Sequence, residues 1–151
     1  MIGPATKGSE FETMATMTMH GDRAAVGVAS WARPWLRAEG LATFAAAFAG
    51  FLWLGLPWYA FALFLLVPDI SAVGYLAGPR IGAIVYNLGH VLATGVAVAA
   101  LGLATGIVPL AGAGLILVGH SGMDRMAGYG LKLPTSFQDT HLGRIGRDRA
   151  H

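Results

Sequence analysis

The chain contains no cysteine among its 151 residues. It therefore has no disulfide bond, no thiolate metal ligand and no thiol nucleophile. Charged residues are also scarce, at 12% of the sequence, whereas a soluble globular domain carries roughly 25%. A chain with so few charges cannot cover its surface with them, and the apolar surface that remains requires lipid as its surroundings.

Basic charge is likewise too small for a nucleic-acid-binding protein. The formal net charge is +2, and the basic residues lie mostly towards the two ends, so we expect no nucleic-acid partner. What is abundant is apolar sequence: 55% hydrophobic residues, 22 glycines and a mean hydropathy of +0.59. Glycine is frequent in transmembrane helices because it lets them pack closely. The predicted partner is the lipid bilayer.

Four apolar runs follow one another between turn residues. They cover about residues 40–56, 58–76, 83–102 and 108–129, each close to the ~20 residues that cross a hydrocarbon core of ~30 Å. Almost none of them has the polar face of a helix in a soluble bundle. The sequence therefore predicts an all-α membrane protein, a bundle of four transmembrane helices.

The arginines and lysines predict the orientation of this bundle. They precede the first run, separate the second from the third and follow the fourth, whereas the other two connections carry no charge. Because basic loops stay in the cytoplasm, we expect both the N and the C terminus to be cytoplasmic, in a multi-pass protein.

The chain divides into four predicted segments. Residues 1–13 contain Gly8-Ser9-Glu10-Phe11, which is typical of a cloning site, and are interpreted as a tag remnant. Residues 14–35 form a loose polar segment, residues 36–131 the transmembrane domain, and residues 132–151 a basic cytoplasmic tail.

Five ionisable residues lie within or beside the predicted spans, at the same cytoplasmic depth. Charges in a bilayer cost about 3 kcal/mol each, so they normally face the bundle interior and have partners. Two of them are four residues apart and share a helix face. We therefore expect one pocket that opens to the cytoplasm and contains Glu39, Asp69, His90, His120 and Asp124.

Imidazole together with carboxylate is a ligand set for Zn²⁺, Mn²⁺ or Fe²⁺. We predict His90, His120 and Asp124 as metal ligands and Asp69 as a fourth ligand or general base. Glu39 is predicted to hold a histidine, so Asp69 and Glu39 are the catalytic candidates. Such a site would activate water for hydrolysis of a lipid-linked or amphipathic substrate.

Other interpretations of the same residues stay open. The histidines are also compatible with simple hydrogen bonds between helices, or with axial ligation of a haem. A small transporter or channel would use the five residues as an ion or proton relay, and would need a homo-oligomer because four spans are few for one pathway. A structural membrane subunit is the remaining alternative.

Seven short motifs are spread along residues 36–143 of the chain. They are Arg37-Ala38-Glu39-Gly40, Pro68-Asp69-Ile70-Ser71, Gly74-Tyr75-Leu76-Ala77-Gly78-Pro79, Tyr86-Asn87-Leu88-Gly89-His90, Gly119-His120-Ser121-Gly122-Met123-Asp124-Arg125, Gly128-Tyr129-Gly130-Leu131-Lys132 and Asp139-Thr140-His141-Leu142-Gly143. In these motifs the chain resembles an uncharacterised bacterial family of integral membrane proteins, catalogued as domain-of-unknown-function family 4260. The resemblance implies a location in the bacterial inner membrane and supplies no activity.

Overall fold

The computed structural model describes residues 31–145, most of which are helical. Helix α1 covers residues 31–53. The elements after it are α2 (Trp58–Phe64), a 3₁₀ helix (Val67–Ala77), α3 (Pro79–His90), α4 (Leu92–Thr105) and α5 (Val108–Ala127). Two short antiparallel strands follow, β1 (Asp139–Thr140) and β2 (Gly143–Arg144).

The chain divides into two compact units, residues 1–35 and residues 36–151. Of the smaller unit the structure describes only residues 31–35, which are helical. The predicted tag remnant at 1–13 and nearly all of the predicted polar segment at 14–35 lie outside the described residues. The features below belong to the larger unit.

Glycines end helices α4 and α5 in the left-handed conformation. Gly106 (φ 73°) and Gly128 (φ 87°) each follow the last helical residue. Their N–H groups donate to the carbonyl oxygens of Leu103 and Arg125 respectively. A side chain at such a φ costs roughly 1–2 kcal/mol, so glycine is the residue that stops these helices.

Helix α5 lies at the centre of the unit and packs on α4 through small residues. A Cβ atom added to Gly114 would collide with the backbone of Ala99, and one added to Gly102 would collide with the backbone of Ala111. Gly40 of α1 approaches the backbone of α5 at Gly122 in the same way. Close backbone contact through small residues is the usual packing of helices in membranes.

An aromatic cluster joins α1 to α2 on another side of α5. The ring of Phe61, 2% exposed, is met edge-on by Phe44, Phe48 and Phe51 at centroid distances of 5.9, 5.1 and 5.3 Å. Gly119 of α5 leaves the space that the Phe61 ring occupies. His120, the next residue after Gly119, is therefore held at the same height along α5 as these aromatic rings.

The second predicted span, 58–76, is not one continuous α-helix. Helix α2 ends at Phe64 because Pro68 has no N–H to donate to the Phe64 carbonyl oxygen, and its ring would clash with that carbonyl. The chain continues as a 3₁₀ helix from Val67, with Pro68 in its first turn. This 3₁₀ helix packs on α3, where Gly82 lies under the ring of Tyr75.

The third predicted span, 83–102, corresponds to two helices. Val91 is extended (φ −80°, ψ 125°) and separates α3 from α4, whose axes differ by 48°. No proline marks this break. The Ser121 hydroxyl of α5 donates to the carbonyl oxygen of His90 over 3.0 Å, so a side chain satisfies a carbonyl at the break.

The segment after α5 folds back onto α3. Asn87 donates from Nδ2 to the Lys132 carbonyl oxygen (2.9 Å) and accepts at Oδ1 from the Lys132 N–H (2.8 Å). Lys132 also bridges Thr140, whose strand pairs with β2. The described part of the predicted tail, residues 132–145, is therefore anchored to α3 through Lys132.

Within residues 31–145, one helical segment is long and apolar enough to cross a membrane. It is Trp58–Ala77, 20 residues with a mean hydropathy of 1.8, formed by α2 and the 3₁₀ helix. Helices α3 and α4 qualify as a second if the bent pair counts as one broken span. Helix α5 is not apolar enough to be included, since it carries His120, Asp124 and Arg125.

Candidate metal centre

Four of the five predicted site residues converge on one point. His90 is the last residue of helix α3. Its Nε2 atom lies 2.9 Å from the Nε2 atom of His120, which is in the middle of α5. Asp69 Oδ1, from the first turn of the 3₁₀ helix, is 3.4 and 3.5 Å from these two nitrogens. Asp124 Oδ2, one turn after His120, is 3.8 Å from both.

Backbone carbonyl groups fix the protonation of both histidine rings. His90 Nδ1 lies 2.7 Å from the Tyr86 carbonyl oxygen, and His120 Nδ1 lies 2.7 Å from the Leu65 carbonyl oxygen. A carbonyl oxygen can only accept, so each Nδ1 carries the hydrogen. The Leu65 carbonyl is available because α2 ends one residue earlier, at Phe64.

The two Nε2 atoms therefore face each other without a hydrogen between them when both rings are neutral. Two nitrogen lone pairs at 2.9 Å repel each other, and the adjacent carboxylates of Asp69 and Asp124 add negative charge. Within residues 31–145, the Asp124 carboxylate accepts no hydrogen bond, although its side chain is only 9% exposed. A buried carboxylate without a partner is costly. A cation between the rings, either a proton on one of them or a metal ion, would remove this repulsion.

The distances fit a small divalent ion. In a tetrahedral site with metal–ligand bonds of about 2.0–2.1 Å, neighbouring ligand atoms lie about 3.3 Å apart. The separations of Asp69 Oδ1 from the two nitrogens are within 0.2 Å of that value. The two nitrogens are 0.4 Å closer together than that value, and Asp124 Oδ2 is 0.5 Å farther from each nitrogen. Asp69, His90 and His120 form a possible metal-holding group, with ligand atoms within 4.8 Å of one another.

Ligation of a haem by the two histidines does not fit this geometry. Two axial bonds of about 2.0 Å on opposite sides of an iron would separate the nitrogens by about 4 Å. The observed 2.9 Å is too short for a porphyrin plane between the rings of His90 and His120.

The cluster is closed on most sides and open at Asp69. The side chains of His90 and His120 are 1% and 0% exposed, whereas that of Asp69 is 49% exposed. A ligand approaching the cluster would therefore meet Asp69 first.

Glu39, the fifth predicted residue, lies apart from the cluster. It lines a cavity of about 160 Å³ together with Thr43, Ser121 and Arg125. Within residues 31–145, no hydrogen bond or ion pair joins Glu39 to either histidine. Its predicted role in holding a histidine stays a prediction.

Sequence reasoning missed the aromatic support behind His90. The ring of Tyr86 stacks on the His90 ring at a centroid distance of 3.6 Å and an interplanar angle of 13°. Tyr86 in turn contacts the ring of Phe137 from the tail, edge-on at 6.2 Å. The spacing of Tyr86 and His90, four residues apart on one helix face, was the signal that could have revealed this pair.

The Lys132 side chain, the first residue of the predicted tail, is buried beside this support. Its Nζ donates to the Phe137 carbonyl oxygen over 2.8 Å and lies 3.8 Å from the centre of the Phe137 ring. Burial lowers the pKa of the Lys132 amine, and the negative charges of Asp124 and Asp69 partly oppose this. The tail therefore brings a positive charge to within electrostatic range of the two carboxylates.

Asp139 and His141, two ionisable residues of the tail, make contacts within the tail. Asp139 Oδ2 accepts from the Thr135 hydroxyl over 2.7 Å. His141 Nδ1 accepts from the Leu131 N–H over 2.9 Å. The tail packs near the cluster through Lys132 and Phe137.

Comparison with known proteins identifies a family and no characterised relative. A family model described as "Domain of unknown function (DUF4260)" matches residues 33–145, which is most of the chain and confirms the resemblance drawn from the motifs. Neither a curated protein nor a solved structure matches the chain.

Proposed function

We propose that this chain, which belongs to the DUF4260 family, is a multi-pass inner-membrane protein that binds a divalent metal ion with His90, His120 and Asp124. Asp69 is either a fourth ligand or, when water holds the fourth position, the general base. The observation that carries this proposal is the 2.9 Å separation of two Nε2 atoms whose rings already donate through Nδ1. Metal-binding histidines almost always donate their other ring N–H to a carbonyl or carboxylate oxygen. Zn²⁺, Mn²⁺ and Fe²⁺ accept this mixture of ligands.

The membrane location is supported by apolar side chains that the protein does not bury. Only 11% of the most apolar window in Trp58–Ala77 is buried, whereas the core helix of a soluble protein is mostly buried. Leu63 and Leu76 in this segment are 71% and 88% exposed. In water such surface is unfavourable. We assign four spans to α1, the α2–3₁₀ segment, the α3–α4 pair and α5.

Basic residues support cytoplasmic termini for this arrangement. Arg37 near the start of α1, Arg80 at the start of α3 and Arg125 near the end of α5 would flank the same membrane surface. His120 is then seven residues from the cytoplasmic end of α5, or about 10 Å along the axis. The metal would lie inside the bilayer boundary but within reach of the cytoplasm.

The reaction that we assign to the site is hydrolysis of an ester bond in an amphiphilic substrate. A divalent ion bound there supplies a Lewis acid and lowers the pKa of a coordinated water. Asp69, the half-exposed member of the cluster, takes a proton from water as the water oxygen bonds to the acyl carbon. The ester C–O bond then breaks, and the leaving alkoxide takes that proton. The products are a carboxylic acid and an alcohol.

Metal content of the detergent-purified protein tests the proposal. After dialysis against a mild chelator, we expect about one divalent ion per chain in the wild type and a loss of at least ~10-fold in affinity in His120→Ala. His141→Ala is the matched control, since His141 bonds only within the tail, and it should keep the metal. Equal metal content in wild type and His120→Ala would refute the proposal.

A proton relay in a small oligomeric transporter is the second candidate function. The same Nε2 pair supports it, because one shared proton would also relieve the repulsion. Solute-driven proton uptake into liposomes, lost in Asp69→Asn and kept in His141→Ala, would favour this function. Absence of both metal and uptake would leave a structural membrane subunit.

A further inference from the structure

We infer that the apolar cavity next to the metal cluster binds the alkyl chain of an amphiphile whose polar head reaches Asp69. The inference depends on the proposed function, because it names the substrate class of that site. The cavity has a volume of about 470 Å³, within the ~300–1,000 Å³ range of small-molecule pockets. Its lining includes Phe51, Phe64, Val67, Pro68, Ile116 and Leu117.

The cavity and the cluster are built from the same two segments. Pro68 lines the cavity and directly precedes Asp69. Ile116 and Leu117 line it as well, and they lie four and three residues before His120 on α5. One turn of helix separates them, or about 5.4 Å along the axis. A chain in the cavity would thus have its head group at the cluster.

The lining selects an alkyl chain over a polar solute. Every side chain that lines the cavity is apolar, so a polar ligand would lose its hydrogen bonds with water and gain none. The wall is partly open, because Phe64 and Val67 are 49% and 48% exposed. Asp69, half-exposed, lies on the same segment. An apolar space that ends at a charged cluster fits a molecule with an apolar chain and a polar head.

Photolabelling with a diazirine analogue of hexadecanoic acid tests the inference on the full chain in detergent. We expect labelled peptides from α2 and α5, with labelling prevented by unlabelled hexadecanoic acid and not by hexanoic acid. Ala113→Phe fills the cavity from an exposed lining position and should weaken binding at least ~10-fold, about 1.4 kcal/mol. Ala100→Phe, exposed on α4, is the matched control and should bind as the wild type does.

The outcomes separate this inference from the proposed function. Labelling spread evenly over α2, α4 and α5, or equal labelling of Ala113→Phe and wild type, would overturn the inference even if metal binds. A head group at the cluster also requires that metal strengthen binding of hexadecanoic acid and leave unchanged the binding of hexadecane, which has no head group. If labelling is confined to the cavity but His120→Ala changes neither metal content nor binding, the proposed function fails and the cavity is a lipid site only.

Discussion

Two glycine-to-alanine substitutions provide a matched test of the packing around α5. Gly114 and Gly50 are both helical, so alanine should favour each helix by about 1 kcal/mol. At Gly114, a Cβ would lie 2.7 Å from the Ala99 Cβ and closer still to the Ala99 backbone. At Gly50, the nearest atom is a terminal methyl of Leu115 at 3.5 Å, an ordinary contact.

The expected effects have opposite signs. Overpacking typically costs about 1–3 kcal/mol, and the cost at Gly114 should lie at the upper end because backbone atoms of α4 cannot rotate away. After the helix gain, we expect Gly114→Ala to lower the free energy of unfolding by about 1–2 kcal/mol. Gly50→Ala should leave it unchanged or raise it by up to about 1 kcal/mol.

Unfolding in mixed micelles of mild detergent and dodecyl sulfate, followed by circular dichroism, measures both variants against the wild type. Since α5 carries His120, Gly114→Ala should also weaken metal binding, whereas Gly50→Ala should not. Equal or greater stability of Gly114→Ala would refute the close contact of α4 with α5.

Three further predictions concern the tail. Burial lowers the pKa of Lys132 in the folded protein, so the unfolded chain binds more protons than the folded one. The free energy of unfolding should therefore rise with pH between the lowered pKa and the ordinary value of about 10.4. Unfolding measurements on Lys132→Met across this pH range should show no such rise. The hydrogen bond from the Thr135 hydroxyl lowers the pKa of Asp139, so the tail should loosen as pH falls below about 3.9. Hydrogen exchange would detect this loosening, and Asp139→Asn should remove the pH dependence. Asn87→Ala removes both hydrogen bonds to the Lys132 backbone. It should speed proteolysis of the segment after α5 and leave α4 protected. Equal cleavage of the wild type and Asn87→Ala would contradict this.

The convergence of the cluster was predictable because depth and helix period are local properties. His120 and Asp124 share a face at a spacing of four residues, and the charge pattern put Asp69 and His90 at the same membrane depth. Glu39 shares that depth, yet it lies on a face of α1 next to Arg125 and away from the histidines. The position of a residue along a span predicts its depth in the bilayer. Which neighbouring helix the residue faces depends on how the helices pack, and the sequence does not give that.

The helix breaks beside the cluster were only partly predictable. Pro68 signals that α2 ends, but the 3₁₀ helix that follows depends on its packing against α3, at Gly82 and Gly74. The break at Val91 has no proline signal. It depends on tertiary bonds that the sequence does not reveal, chiefly the one from Ser121 to the His90 carbonyl oxygen.

The structure of the tail was also only partly predictable from the sequence. Glycine at position 128 predicts the end of α5, because glycine is the usual residue just after a helix. Gly128 follows α5 in the left-handed conformation. The return of the tail to α3 was not predictable, since it depends on Asn87 recognising the Lys132 backbone across 45 residues.

X-ray absorption spectroscopy of the zinc-loaded protein tests the central claim most directly. The account predicts two imidazole nitrogens at about 2.0–2.1 Å, with oxygens of carboxylate and water completing a four-coordinate site. In His120→Ala one imidazole contribution should disappear, and in His141→Ala both should remain. A zinc ion surrounded by oxygen alone in the wild type, or an unchanged spectrum in His120→Ala, would contradict a metal centre between His90 and His120.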